Sequence, residues 1–253
     1  MVRSSVDPRD LADRLRRGDR CALARMITLV ENGEVSTAAL GRVGAGQQAA
    51  IVIGVTGYPG VGKSTLVDQL AAAYRQERKR VAILAVDPSS AVSGGALLGD
   101  RIRMQRHAGD PDVYIRSMAS RGGRGGLAPT TKEVIDVLRV ADFDVILLET
   151  VGVGQVEGEI AEVADVVLVV VAPGLGDEVQ AMKAGLFELA DTVVINKADA
   201  PGAETAVRTI KEWWPCVIPT VATTGVGIPE LIETIGRISK EKAGKRIARR
   251  SAE

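Results

Sequence analysis

The apolar, β-branched run Ile51–Thr56 passes directly into Gly-Tyr-Pro-Gly-Val-Gly-Lys-Ser at 57–64. That octapeptide leads into a stretch with helical spacing of Leu66, Leu70 and Ala73. No other feature restricts the fold as tightly. The pattern is G-x-x-x-x-G-K-[ST], and between a strand and a helix it builds a loop whose backbone N–H groups surround a phosphate. Gly57, Gly60 and Gly62 permit the turn because no Cβ obstructs it. Pro59 and Val61 complete the loop, and the positive end of the following helix adds to its field. Lys63 is placed to neutralise β/γ oxygens, Ser64 to ligate Mg²⁺, and Thr65 to lie near an α-phosphate. The competing reading, a glycine-rich turn with an incidental lysine, does not account for the flanking strand and helix.

Further runs at 81–86, 145–148, Val166–Val171, Thr192–Ile195 and 217–221 lack polar alternation. Such runs suit a parallel sheet buried on both faces. Helical patterns lie between them: Val134, Ile135 and Leu138 in one, and Ile228, Leu231, Ile232, Ile235 and Ile238 in another. The fold expected is α/β, a P-loop NTPase three-layer sandwich with a mostly parallel sheet and an N-terminal helical extension. The extension is assigned to residues 1–48. Asp7-Pro8 and Gly18-Asp19 are its helix starts, and Leu11, Leu15, Leu23, Met26, Ile27 and Val30 its buried face. The nucleotide domain is assigned to 49–238. A short basic tail, 239–253, carries Lys240, Lys242, Lys245, Arg246, Arg249 and Arg250, and reads as a solvated helix end or an anionic docking surface.

Which base is bound follows from Asn-Lys-Ala-Asp at 196–199, directly after the Thr192–Ile195 run. A carboxylate at Asp199 accepts from guanine N1–H and the exocyclic amine, a pair that adenine does not offer. Lys197 lies along the base plane and Asn196 ties the loop to 57–64. Ala222 and Thr223 suit a second base-contacting loop or a plain turn. The run at 145–148 ends in Glu149, followed by Gly152 and Gln155. A carboxylate at such a strand end holds Mg²⁺ directly or through water, and the glycine lets backbone approach a γ-phosphate. The chain has ExxG here where DxxG is usual. Asp87 ends the preceding strand and is a candidate for Mg²⁺-water coordination, for orienting water, or for capping a turn.

Composition supports a nucleotide-dependent protein and excludes other classes. Twelve of the 28 glycines fall in the four short loops at 57–62, 94–99, 122–126 and 152–154. Asp100 is a further magnesium-side candidate, and Arg101, Arg121 and Arg124 are charge stabilisers or surface arginines. With 32 basic and 32 acidic residues the net charge is zero, which argues against a nucleic-acid partner held by a general field. The longest strongly apolar stretch, 166–172, is far below the roughly 20 residues that span a bilayer, so no membrane role is expected. The first ten residues lack the apolar region of a secretory signal, and a cytoplasmic location is expected.

Together the segments GYPGVGKST, AVDPSSAVSGGALLGDRIRM, ETVGVGQVE, PGLGDEVQAMKAGLFELAD and NKAD closely resemble the MeaB/ArgK GTPases. That group is associated with adenosylcobalamin-dependent methylmalonyl-CoA mutase and related to the human cobalamin A-type protein. The resemblance spans about residues 11–238. It implies a GTPase using GTP/GDP and Mg²⁺. It also implies a chaperone that binds an adenosylcobalamin-dependent acyl-CoA mutase, gates its cofactor and protects it. Asp87 and Asp100 then fall in a first switch, 149–155 in a second and 174–183 in a third. Gln155 becomes a candidate for orienting the attacking water, and Lys183 for stabilising transition-state charge. The sequence departs from the family at Arg124, where an apolar residue is usual. It also ends at Glu253, so the longer C-terminal arm of the family's homodimer is expected to be short.

Two alternatives stand beside this reading. A nickel metallochaperone GTPase needs a Cys/His transfer site, and the chain holds only His107, Cys21 and Cys216. A small-substrate kinase of the older ArgK type needs an acceptor-binding insertion, and none is evident.

Overall fold

The computed structural model describes residues 7–37, 50–87, 104–107, 109–120, 126–150, 158–174 and 187–250, without the side chains of Gln105 and 246–250. Two helices open the chain, α1 (Pro8–Arg16) and α2 (Arg20–Glu31). Each is started by an aspartate whose side chain accepts backbone N–H groups: Asp7 from Arg9, and Asp19 from Cys21 and Ala22. The predicted apolar face, Leu11, Leu15, Leu23, Met26, Ile27 and Val30, is buried throughout. Burial of each large side chain on α2 is worth roughly 1.5–3 kcal/mol before conformational entropy is subtracted. The two helices therefore share the core of the nucleotide domain and do not stand apart from it.

Among the described residues, seven strands form one parallel sheet: β1 (Ile51–Thr56), β2 (Val81–Asp87), β3 (Val113–Ala119), β4 (Val145–Glu149), β5 (Val166–Val171), β6 (Thr192–Ile195) and β7 (Val217–Pro219). Their spatial order is β3-β2-β4-β1-β5-β6-β7. One face is covered by α1, α2, α4 (Thr131–Val140) and α5 (Gly158–Val163), the other by α3 (Lys63–Gln76) and α7 (Ile228–Arg250). Helix α6 (Ala203–Lys211) closes the β6–β7 end, where Phe187 packs edge-on to Trp213. Burial on both faces explains why most strands read as continuous apolar runs.

Three elements differ from expectation. Strand β3 is absent from the predicted set because it lies at the sheet edge, where Arg116 and Ser117 break the apolar run. Arg116 bonds Thr28 at 3.3 Å and pairs with Glu31, both on α2. The last strand ends at Pro219, two residues early, because Val221 turns away into an isolated antiparallel bridge with Val226. Finally, no break in secondary structure falls at 238/239. Helix α7 is continuous, and Lys242 donates to Asp191 Oδ2 at 2.6 Å and to the Asp165 carbonyl at 3.1 Å. Part of the basic segment is thus docked under β5 and β6, while Lys240 and Lys245 are exposed.

Candidate functional site

The carboxyl ends of the strands define the site. The connection after β1 goes to one side of the sheet and the chain later returns to the other, which opens a crevice beside β1. Glu149 at the end of β4 lies level with Val55 of β1 and with Ala85 of β2. Asp87 is two residues further along β2, so both carboxylates lie on the β4 side of the loop that leaves β1.

That loop adopts a conformation restricted to glycine at two critical points. Gly57 has φ 139° and Gly62 φ 95°. A Cβ on Gly57 would lie 2.1 Å from the Val170 carbonyl oxygen, and one on Gly62 would lie 2.3 Å from Asn196 Nδ2. Gly62 also starts α3 without any side-chain cap, so the first-turn N–H groups of a 14-residue helix face the loop. Lys63 is buried and folds back, donating to the carbonyls of Gly57 at 2.9 Å and Tyr58 at 3.2 Å. Pro59, Gly60 and Thr65 are exposed along the rim, and Val61 is buried beneath it.

Ser64 donates its hydroxyl proton to Glu149 Oε1 at 2.7 Å. Ser64, Asp87 and Glu149 are each less than a tenth exposed. The Ser64 hydroxyl and the Glu149 carboxylate in contact, with the Asp87 carboxylate at the end of β2, are hard oxygen donors of the kind that Mg²⁺ takes. The donor chemistry fits the metal.

Opposite, the loop after β6 is joined to the phosphate loop through Asn196. Its amide nitrogen donates to the Val61 carbonyl at 2.9 Å. Its oxygen accepts the Ala222 N–H at 3.0 Å and the Thr220 hydroxyl at 3.3 Å. Lys197, at φ 57°, donates to the Gly60 carbonyl at 2.7 Å. Asp199 and Thr223 are exposed at the open side, while Ala222 is buried. Three loops from β1, β6 and β7 thereby form one unit.

The structure thus brings together Gly57, Gly60, Gly62, Lys63, Ser64, Glu149, Asn196, Lys197 and Ala222. Asp100, Gly152, Gln155 and Lys183, with Arg101, Arg121 and Arg124, lie outside the described residues. The chain's histidine belongs elsewhere. His107 Nε2 lies 3.0 Å from Asp68 Oδ1 on α3, and Arg106 grips the same carboxylate. Cys21 is exposed and Cys216 half-buried. Among the described residues no three His, Cys, Asp or Glu side chains gather as metal ligands. No described helix is long and apolar enough to cross a membrane.

Comparison with known proteins agrees with this geometry. The family model for methylmalonyl-CoA mutase-associated GTPase MeaB matches residues 23–253. The chain belongs to the MeaB family. The match continues through α7, beyond the expected limit at 238. A Pyrococcus horikoshii protein described as a candidate GTPase is 49% identical over 252 residues, covering 93% of this chain and 80% of that protein. The mouse mitochondrial methylmalonic aciduria type A homolog is 37% identical over 248 residues, covering 87% and 60%. A crystal structure of a LAO/AO transport system kinase superposes with a TM-score of 0.64 at 26% identity, covering 97% and 83%. As a MeaB-family GTPase, the chain has its phosphate loop, the Glu149 carboxylate and its base loop at one end of the sheet, joined by hydrogen bonds. The Lys197–Gly60 bond, and a 3.0 Å bond from the Thr150 hydroxyl to the Thr56 hydroxyl, carry no motif signal, because each depends on how separate segments meet.

Proposed function

We propose that this MeaB-family GTPase binds GTP with Mg²⁺, hydrolyses it to GDP and phosphate, and acts as a G-protein chaperone of an adenosylcobalamin-dependent acyl-CoA mutase. The observation that carries the nucleotide assignment is the Asn196 bridge. It holds the guanine-type NKAD loop against the phosphate loop, at a separation set by direct hydrogen bonds. The mutase partner rests on the family.

The chemistry is attack of water on the γ-phosphate, where positioning and charge stabilisation do most of the work. The chain's own groups divide that task. Backbone N–H groups of the loop and the start of α3 hold the phosphates, and the Lys63 ammonium neutralises their oxygens. Ser64, Glu149 and Asp87 would hold Mg²⁺, which when bound supplies charge neutralisation at the β and γ oxygens. Asp199 selects guanine, while Gln155 and Lys183 are assigned to water orientation and to transition-state charge.

The test measures phosphate release from GTP with and without a purified adenosylcobalamin-dependent mutase, and co-purification of the two with a non-hydrolysable GTP analogue. Acceleration by the mutase and nucleotide-dependent association are the expected results. Equal rates and no association would overturn the chaperone role. The kinase named in the similar crystal structure supplies a second arm: a phosphorylated small-molecule product would replace hydrolysis with transfer.

A further inference from the structure

The loop that cradles the phosphates is held at both ends by two consecutive residues. At its exit, Ser64 bonds Glu149 Oε1 at 2.7 Å. At its entry, the Thr150 hydroxyl donates to the Thr56 hydroxyl at 3.0 Å, and the Thr150 N–H donates to the Val55 carbonyl at 3.1 Å. Thr56 directly precedes Gly57. The two hydroxyl groups are 94 residues apart in sequence, and both side chains are at most 3% exposed.

Alternation along a strand sends neighbouring side chains to opposite faces of a sheet. Glu149 reaches the α3 face, as its bond to Ser64 shows, and Thr150 bonds a β1 residue that alternates with Val55. A ring closes: Thr56, the loop, Ser64, Glu149, Thr150 and back to Thr56. Each link is a covalent bond or a hydrogen bond between groups that are largely shielded from water. The hydroxyl pair sits where β1 and β4 end side by side.

We infer that Thr150 is a positioning residue for GTP hydrolysis: through Thr56 it fixes the Glu149 carboxylate relative to the phosphate loop. The inference rests on the GTPase reading of the site. It adds a residue to which no nucleotide contact is assigned. A purely packing role for this pair predicts something different. When both partners of a buried hydrogen bond are replaced by apolar groups of the same shape, stability changes little. Thr56→Val combined with Thr150→Val therefore separates positioning from packing.

The experiment compares wild type, Thr150→Val, Thr56→Val, the double variant and Thr150→Ser. It reads steady-state GTP hydrolysis, Mg²⁺ half-saturation and Tm. Loss of one positioning hydrogen bond predicts a fall in kcat of about ten-fold, from its typical worth and the rate equivalent of that energy. KM for GTP stays within about two-fold, as expected when binding groups are untouched. Mg²⁺ half-saturation rises, and Thr150→Ser restores kcat. The double variant is no slower than the slower single variant, because both remove the same bond, and it melts near wild type.

A Thr150→Val enzyme with kcat within two-fold of wild type overturns the inference. So does a serine variant as slow as the valine, or a double variant whose losses multiply. If Thr150→Val does not fold, Thr56→Val and the double variant decide by the same criteria. A wild-type chain that releases no phosphate from GTP overturns the underlying reading instead, and the two failures are therefore distinct.

Discussion

Replacing Asn196 by alanine removes the side chain that joins the base loop to the phosphate loop. Three hydrogen bonds are lost, to Val61, Ala222 and Thr220. The Thr220 hydroxyl can rotate to another acceptor, but the Val61 carbonyl and the Ala222 N–H belong to the backbone. Both residues are at most 2% exposed, so each stranded group costs about 1–3 kcal/mol. Partial entry of water lowers the sum, and a loss of about 3 kcal/mol is expected. For a domain of this size that corresponds to a fall in Tm of roughly 6–12 °C. The loss should be present without nucleotide, because the bridge joins protein to protein. Thermal unfolding of the nucleotide-free chain measures it, and titration with fluorescent GTP should show weakened binding besides. Asp199→Asn is the matched control. Asp199 is exposed and makes no hydrogen bond among the described residues, so its Tm should stay within about 1 °C of wild type. Its affinity should shift from GTP toward xanthosine triphosphate, whose C2 carbonyl complements an amide. An Asn196→Ala chain that melts with wild type would refute the bridge. An Asp199→Asn chain with unchanged GTP affinity would refute the base assignment.

Three other outcomes follow from the same geometry. Gly62→Ala should abolish GTP binding, since its Cβ must displace Asn196 from 2.3 Å, whereas Gly60→Ala meets nothing within 4 Å and should cost about 1–2 kcal/mol for its positive φ alone; nucleotide titration of the two variants separates clash from strain. Ser64→Ala removes both a metal-ligand candidate and the bond to Glu149, and should raise the Mg²⁺ needed for half-maximal phosphate release at least about ten-fold. Hydrogen bonds from Arg75 and then from the Asp112 N–H hold the Asp110 carboxyl below its ordinary value. A depressed carboxylate stabilises the fold above its unfolded pKa, about 3.9, and that contribution disappears as pH falls through the folded value. Asp110→Asn should therefore melt a few degrees below wild type at pH 7, with the gap closing below about pH 4; a gap constant with pH would exclude the ionised pair as its cause.

How far the sequence could be read depended on the distance over which each feature is determined. Local chemistry was legible. The phosphate loop, its glycines and the helix it starts lie within a few residues, so composition and spacing suffice. The caps at Asp7 and Asp19 are local for the same reason. Long apolar runs marked the strands that are buried on both faces. Edge strand β3 was not legible, because its Arg116 is accommodated by Thr28 and Glu31, which lie on a helix, 88 and 85 residues earlier. The docking of Lys242 onto Asp191 was hidden likewise, since a lysine in a basic run carries no mark of the carboxylate it meets 51 residues away.

From the sequence alone came the α/β class, the nucleotide chemistry, the choice of guanine and the family. Each is encoded by short segments whose geometry is dictated by backbone sterics and by what a phosphate or a base can hydrogen-bond. Tertiary structure alone decided how those segments act together. Asn196, expected to reach the phosphate loop, also holds Thr220 and Ala222, Lys197 crosses to Gly60, and Thr150 closes a ring with Thr56. Such bonds depend on the order β2-β4-β1-β5-β6-β7, which brings strand ends side by side that are remote in the chain. Strand order follows from which apolar faces bury one another, a property of the whole core that no single motif contains.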